Sequence, residues 1–322
     1  MEKISVVIPA FNEEEGIRPV IGSVLGILAG RPGSEVIVVD DGSRDDTAAA
    51  AREAGARVIA HGRNRGYGAA LKTGIRAARS EIVVITDADG TYPVERIPDL
   101  LEALGACDMA VGARTGEVVH IPTARKPGKW MLRMLAEYVT GTRIPDLNSG
   151  LRAFRRSFAM QYFPLLPQGF SFTTTITVAS FCDGYSTEYI PIDYHVRKGR
   201  SKITPASFFS FLGLVLRLSV YFRPMKVFMP AALACLALGL GKLVLDIVVA
   251  LRLYGSFGSL LSQEVLSVSS LILLLSGLQI ALVGTVAEAL ARRWSPATAP
   301  VSDVRRVDEG AAPGAPGSGD PS

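Results

Sequence analysis

Near its start the chain carries a short, β-rich apolar run, ISVVIPA at 4–10, broken only by Ser5. Two runs of the same kind follow, EVIVVDDGS at 35–43 and EIVVITDADG at 81–90. Between them apolar positions recur at helical spacing in EEGIRPVIGSVLGILAG, with Pro19 near its start, in DDTAAAAREAG and in GYGAALKTGIRAARS. Short apolar runs separated by helical patterns predict βαβ units, hence an α/β domain with a mostly parallel, Rossmann-like sheet. Right-handed crossovers then bring the carboxyl ends of the strands to one edge. Asn12 and Glu13, Asp40 and Asp41, and Asp87 and Asp89 all emerge there, more acid than a core alone requires.

From 108 to 200 the pattern loosens. MAVGAR and TEYIPIDYHV read as strands, KWMLRMLAEYVTG as a helix with a basic face, and SGLRAFRRS as strand and turn. GFSFTTTITVASFCDG fits a helix or a strand. After 204 the character changes. Aromatic and aliphatic residues mix with Arg217 and Arg223 over 206–226, as in an interfacial helix. Two apolar segments, 227–251 and 265–287, each reach the roughly 20 residues that a bilayer span needs. Cationic residues flank the pair on its outer sides (Arg217, Arg223 and Lys226 before, Arg292 and Arg293 after), and the connecting loop has only Arg252. The positive-inside bias predicts a two-span membrane hairpin with residues 1–225 in the cytoplasm. The expected organisation is therefore a catalytic α/β domain over 1–204, an interfacial helix over 205–226, the hairpin over 227–291 and a disordered Ala/Pro/Gly-rich tail over 295–322.

Composition agrees. Hydrophobic residues make up 48% of 322 and the mean hydropathy is +0.30, an excess that sits in the C-terminal third. The net charge of +4 suits an anionic membrane surface or a phosphorylated substrate, and no basic tract points to nucleic acid. The three cysteines, Cys107, Cys182 and Cys235, are scattered, so neither a disulfide framework nor a zinc site is expected. MEKISVVIPA enters a strand at once, and no cleavable signal peptide is expected.

Asp87 and Asp89, two residues apart at a strand end, project to one side, where two carboxylates without a counter-ion raise each other's pKa. Hard oxygen ligands in such a pair suit Mg²⁺ or Mn²⁺ shared with substrate phosphates, where the ion stabilises a leaving diphosphate. The competing reading is a loop of solvated acids capping a helix. For an isolated Asp-x-Asp that reading is the better one, but the position beside DDGS favours the metal.

VVIPAFNEE, VVDDGSRDDT, NRGYGAALKTG, DADGTYP, VGAR, NSGLRAFRR and GFSF, in that order, resemble family 2 glycosyltransferases. The branch they resemble is that of dolichol-phosphate mannose synthase and other polyprenyl-phosphate glycosyltransferases. The resemblance covers about 1–205 and implies a GT-A fold, with a two-span hairpin as in many members. It implies inverting transfer of a sugar from a nucleotide-diphosphate sugar, GDP-mannose or a UDP-hexose, to a dolichyl or undecaprenyl phosphate. By this resemblance Pro9, Phe11 and Glu13 line the nucleotide pocket, and Val39 and Asp41 read base and ribose. Ala88 and Asp89 contact the donor, and Asp87, Asp89 and Thr91 surround Mg²⁺ or Mn²⁺. Arg114, Arg197 and Lys202 bind phosphate, Asp89 and Arg114 being the catalytic pair. Gly112-Ala113-Arg114 stands where the family has Gly-Ser-Arg.

Several residues keep a second reading. Glu13 and Asp41 could cap helices, and Gly66, Gly68 and Gly74 could serve helix packing. Arg125, Lys126, Lys129 and Arg133 could hold acceptor phosphate or form a solvated, headgroup-facing face. Lys242 and Asp246, four apart in the first span, could neutralise each other. Arg114 and Lys202 are expected at an open edge, where substitution leaves stability largely unchanged. Transfer to a sugar hydroxyl needs a general base, and Thr173-Thr174-Thr175 stands where hydroxyl-directed relatives have acids. A phosphate monoester, with its second pKa of about 6, needs none. The alternatives are a family 2 enzyme acting on a glycan or lipid hydroxyl, and a non-catalytic nucleotide-sugar-binding membrane protein. A homo-oligomer is left open.

Overall fold

The structure is a computed structural model that describes residues 2–115, 126–169, 171–194, 205–254 and 267–294. The chain divides into two compact units, Met1–Glu137 with Thr142–Pro205, and Tyr138–Gly141 with Ala206–Ser295.

The first unit is built on a seven-stranded sheet of β1 (Ile4–Ala10), β2 (Glu35–Asp40), β3 (Arg57–Ala60), β4 (Ile82–Ile85), β5 (Met109–Ala113), β6 (Arg152–Arg155) and β7 (Thr187–Pro191). Their order is β3-β2-β1-β4-β6-β5-β7. Every pairing is parallel except the two made by β6, so the other strands share one direction and end at one edge. Helices α1 (Glu14–Leu28), α2 (Thr47–Glu53), α3 (Tyr67–Ala77), α4 (Ile97–Ala103), α5 (Lys126–Thr140), α6 (Arg156–Gln161) and α7 (Phe172–Cys182) connect them.

The apolar runs have a simple cause, since β1 and β4 are buried along their whole length, and the one polar residue in them, Ser5, is hydrogen-bonded to Glu35. Ile4, Val6 and Ile8 join Val36 and Val38 in a core that includes Ile17, Val20, Ile21 and Val24 of α1. Alternate residues face the other way, onto α3: a methyl group at Gly74 would stand 2.3 Å from a Val7 methyl and 3.2 Å from one of Val39. Gly68 is tighter still, since a methyl there would stand 2.3 Å from the Pro167 carbonyl oxygen and 2.8 Å from that of Gly169. These glycines serve close packing.

Two elements depart from the sequence expectation. β3 has only half-buried and exposed residues at the sheet margin, so it lacks the apolar run that marks its neighbours. The segment that fits helix or strand equally is α7, and ten of its eleven residues are buried. A helix buried all round has no polar face to betray its period, and its β-branched residues mimic a strand. Its hydroxyls are absorbed locally: Thr175 donates to the Ser171 carbonyl and Thr177 to that of Thr173.

The second unit holds α8 (Pro205–Phe222), α9 (Pro224–Tyr254) and α10 (Val268–Trp294). Two stretches, Pro224–Arg252 and Val268–Ala291, are long and apolar enough to cross a membrane. Small residues bring α9 and α10 together, Gly239 against Leu274 and Gly277 against Leu236. Lys242 and Asp246 form an ion pair, and the Ser267 hydroxyl donates to the second Asp246 oxygen at 2.6 Å. The expected tail, 295–322, and the loop over 255–266 lie outside the described residues.

The packing at α3 makes a direct prediction. The atoms facing Gly68 are backbone carbonyls that cannot swing aside, so Gly68→Ala is expected to destabilise the first unit by about 1–3 kcal/mol. Gly62, with nothing within 4 Å of an added methyl, is the control. Thermal unfolding of the detergent-purified variants should show a lowered transition for the first and an unchanged one for the second.

Candidate active site

Just beyond β4, Asp87 and Asp89 are both half-buried. Asp87 Oδ1 accepts the Tyr67 hydroxyl at 2.9 Å, and a methyl group at Gly150 would stand 3.0 Å from both Asp87 oxygens. Asp89 is tethered within its own turn: its Oδ1 accepts the Thr91 amide at 3.1 Å and the Thr91 hydroxyl at 2.6 Å. Thr91 is fully buried and acts on Asp89 directly. Among the described residues no group of three or more His, Cys, Asp or Glu side chains could hold a metal ion. Two carboxylates alone do not make a closed cage. As a donor set they fit an ion such as Mg²⁺ that takes one or two carboxylates and completes its shell with substrate phosphate and water.

Arg114 follows β5 at the same sheet edge. Its Nε and Nη2 donate to the two oxygens of Asp146 at 2.7 and 2.8 Å, the Asp146 carboxylate accepts the Arg114 amide at 3.1 Å, and the guanidinium lies 5.3 Å from the Tyr194 ring. Both side chains are nearly buried, 13% and 10% exposed, so Arg114 does not stand at an open edge. Burial pushes the Asp146 pKa up, but the hydrogen bonds and charge of Arg114 outweigh it and hold the carboxyl below its ordinary value. One fork of the guanidinium, Nε and Nη2, is committed to Asp146.

Asp146 begins a turn, 146–150, that touches most of the site. The Asn148 side chain accepts the Thr174 hydroxyl, the Ser149 hydroxyl donates to the Gly112 carbonyl, and the Gly150 amide donates to Tyr92 Oη at 2.7 Å. Beneath it lies Arg152, wholly buried in β6 opposite Ile85 of β4 and Val111 of β5. Its guanidinium donates to the Ser149 and Leu147 carbonyls at 2.7 and 3.0 Å and to the Thr177 hydroxyl at 2.6 Å. Burial lowers its pKa, but an arginine stays charged in a protein.

The loops after β1 and β2 are laced together. Asn12 takes the left-handed conformation, φ 53°, its amide donates to the Ser43 hydroxyl and its side-chain oxygen accepts the Arg44 amide, both at 2.9 Å. The Glu13 amide donates to Thr47 Oγ1 at 2.9 Å, and Asp40 accepts the Ser43 amide at 3.0 Å. Asp41 is buried, and it ties down the next loop by accepting the Arg65 and Gly66 amides at 2.9 and 2.7 Å. His61 joins Asp41 at 2.6 Å through Nδ1 and Thr73 at 2.9 Å through Nε2. Pro9 and Val39 are buried partners in adjacent strands, and the Val39 side chain faces α3. Phe11 is half-buried and Ala88 buried. Arg125, Arg197 and Lys202 lie outside the described residues, as do the side chains of Lys126 and Lys129; Arg133 is exposed and 3.9 Å from Glu137.

Sequence reasoning missed Tyr67, His61, Asp146 and Arg152. Asp146 and Arg152 flank Asn148-Ser149-Gly150, and no local pattern there signals an ion pair or a buried cation. Tyr67 lies between two glycines that drew attention to the backbone.

The Arg114–Asp146 pair leads to a prediction that differs from the sequence expectation. Removing either partner leaves a nearly buried charge alone, so Arg114→Ala and Asp146→Ala should each destabilise the protein by about 3 kcal/mol. The double variant should lose clearly less than the sum of the two, because neither charge is then stranded. Denaturant or thermal unfolding of all three variants gives the coupling, and strict additivity would show that the pair contributes nothing as a unit.

Comparison with known proteins agrees with this architecture. Residues 5–163 match Glycosyl transferase family 2, and residues 223–292 match the GtrB C-terminal hairpin. The chain is 34% identical to a dolichyl-phosphate hexose transferase of Haloferax volcanii, over 63% of this chain and 88% of the relative. It is 29% identical to an undecaprenyl-phosphate mannosyltransferase of Micrococcus luteus over 63% and 88%. A dodecaprenyl-phosphate galacturonate synthase of Rhizobium johnstonii matches over 91% of this chain and 88% of its own length, at 28% identity. Among solved structures, glucosyl-3-phosphoglycerate synthase of Mycobacterium tuberculosis in complex with phosphoglyceric acid aligns with a TM-score of 0.54 and 25% identity, covering 67% of this chain and 79% of that one. The carboxylates after β4, the arginine after β5 and the mostly parallel sheet that sets them on one edge therefore belong to a glycosyltransferase, and the chain is a member of glycosyl transferase family 2.

Proposed function

We propose that the protein transfers a sugar from a nucleotide-diphosphate sugar, GDP-mannose or a UDP-hexose, to a polyprenyl phosphate, with inversion at the anomeric carbon. The observation that carries the donor half is the convergence of Asp87, Asp89 and Arg114 on one sheet edge. Asp87 and Asp89 would hold Mg²⁺ or Mn²⁺, which would supply charge stabilisation to the departing diphosphate. Pro9, Phe11, Glu13, Val39, Asp41 and Ala88 form the donor's surroundings, with Asp41 acting largely by fixing the loop that holds Arg65 and Gly66. Arg114, oriented by Asp146, offers its remaining donors to phosphate, and Arg197 and Lys202 add charge.

For the acceptor, α7 is the informative element. Thr173, Thr174 and Thr175 begin it, all are buried, and the hydroxyls of Thr174 and Thr175 are given to Asn148 and the Ser171 carbonyl. That stretch supplies no carboxylate to deprotonate a sugar hydroxyl. An ionised phosphate needs no such help: its oxygen attacks the anomeric carbon as the bond to the donor's β-phosphate breaks. Relatives named for dolichyl, undecaprenyl and dodecaprenyl phosphates support the same acceptor class. Anchoring by the hairpin, with the catalytic unit on the cytoplasmic side, keeps the site at the surface where a lipid phosphate lies.

Two experiments test this. Purified protein assayed with a panel of nucleotide sugars and a polyprenyl phosphate should form a sugar-phosphate lipid. Chelator should abolish the activity, Mn²⁺ or Mg²⁺ should restore it, and Asp89→Ala should lose at least 100-fold (an order-of-magnitude expectation for a metal ligand) while remaining folded. Full turnover in excess chelator would remove the metal from the mechanism. For orientation, a cysteine introduced as Ser259→Cys should react with an impermeant reagent from outside intact cells, and labelling only from the cytoplasmic side would reverse the assignment.

A further inference from the structure

Asp87 and Asp89 are held in different ways. Asp89 is tethered by Thr91, two residues on in the same turn. Asp87 is fixed by residues remote in sequence, the Tyr67 hydroxyl at the start of α3 and the Cα of Gly150 in the turn before β6. The hydroxyl supplies a hydrogen bond to one oxygen, and the glycine leaves just enough space for the carboxylate to lie against the backbone. A phenol hydroxyl 2.9 Å from a carboxylate oxygen donates the hydrogen bond, since the carboxylate has no proton to give.

Tyr67 is itself rigidly placed. Gly66 before it has φ 102°, and Gly68 after it sits against the Pro167 and Gly169 carbonyls. The Ala69 amide donates to the Gln168 carbonyl at 2.9 Å, which fastens the first turn of α3 to the same loop. Gly150 is secured in turn by its amide bond to Tyr92. Both constraints on Asp87 thus come from segments whose backbone is fixed by other contacts.

On the proposed metal role of Asp87, we propose that Tyr67 is a positioning residue, whose hydroxyl, with the cradle at Gly150, sets the Asp87 carboxylate in the orientation that receives the divalent cation. Partners of this kind typically contribute ten- to a hundredfold to metal affinity. The consequence is specific: losing the hydroxyl weakens cation binding without touching nucleotide recognition.

The test uses the full chain in detergent and measures Mn²⁺ binding by electron paramagnetic resonance in the presence of GDP or UDP. Tyr67→Phe keeps the ring and removes the donor, and Gly150→Ala keeps Tyr67 and displaces the carboxylate. Each should raise the Mn²⁺ dissociation constant about tenfold. Nucleotide binding measured without metal should be unchanged, and the lost transfer activity should return at high Mn²⁺. Equal Mn²⁺ affinity in folded Tyr67→Phe and unsubstituted protein would overturn the positioning role while leaving the metal site intact. Failure of the unsubstituted protein to bind Mn²⁺ with either nucleotide would instead overturn the metal reading, and the inference with it. Should Tyr67→Phe not fold, Gly150→Ala decides alone, an unchanged dissociation constant counting against the proposal.

Discussion

The site depends on one buried charge. Arg152 is fully enclosed in the central sheet and cannot shed its proton, and among the described residues no carboxylate lies within ion-pair distance of it. Such a cation is tolerated only where strong acceptors surround it. The acceptors are the carbonyls of Leu147 and Ser149 and the hydroxyl of Thr177. The turn over 146–150 therefore cannot relax independently of the sheet. Its curvature is the shape that lets two of its carbonyls point back at the same guanidinium.

That turn joins the two strand ends that matter. Through Asp146 it reaches Arg114 beyond β5, and through Gly150 it reaches Asp87 beyond β4. The antiparallel β6 makes this economical. Running against its neighbours, it starts where they finish, so the loop entering β6 lies at the edge where β4 and β5 end. A wholly parallel sheet would have put a strand's carboxyl end there and sent its entering loop to the opposite edge.

The sequence revealed the sheet and its acidic edge because both write themselves as local patterns. Apolar runs give strands, and the residues after them give the edge, so Asp41, Asp87, Asp89 and Arg114 could be named from spacing and resemblance. Tyr67, His61, Asp146 and Arg152 could not, because their roles are pairings across 20 to 32 residues or inward burial. Arg152 is the sharpest case. An arginine in NSGLRAFRR reads as one more surface cation, and only the register opposite Ile85 and Val111 puts it inside. Val39 is named by the resemblance, and its side chain faces α3. The helix at 172–182 escaped because burial on every side erases the period that would have announced it.

The threonines of α7 connect this architecture to the kind of acceptor the site can use. In a helix buried all round, a glutamate or aspartate at Thr174 or Thr175 would need its own counter-ion or would become neutral. The hydroxyls instead close onto Asn148 and a backbone carbonyl, which rigidifies the helix against the 146–150 turn without adding charge. The proposed acceptor, an ionised phosphate, fits such a turn because it brings its own negative charge. On the proposed reaction, which joins an anionic acceptor to an anionic donor, charge neutralisation is the main task, and an anchored Arg114 suits it. On its proposed role toward phosphate, a guanidinium fixed by Asp146 spends no ordering entropy when the phosphate arrives.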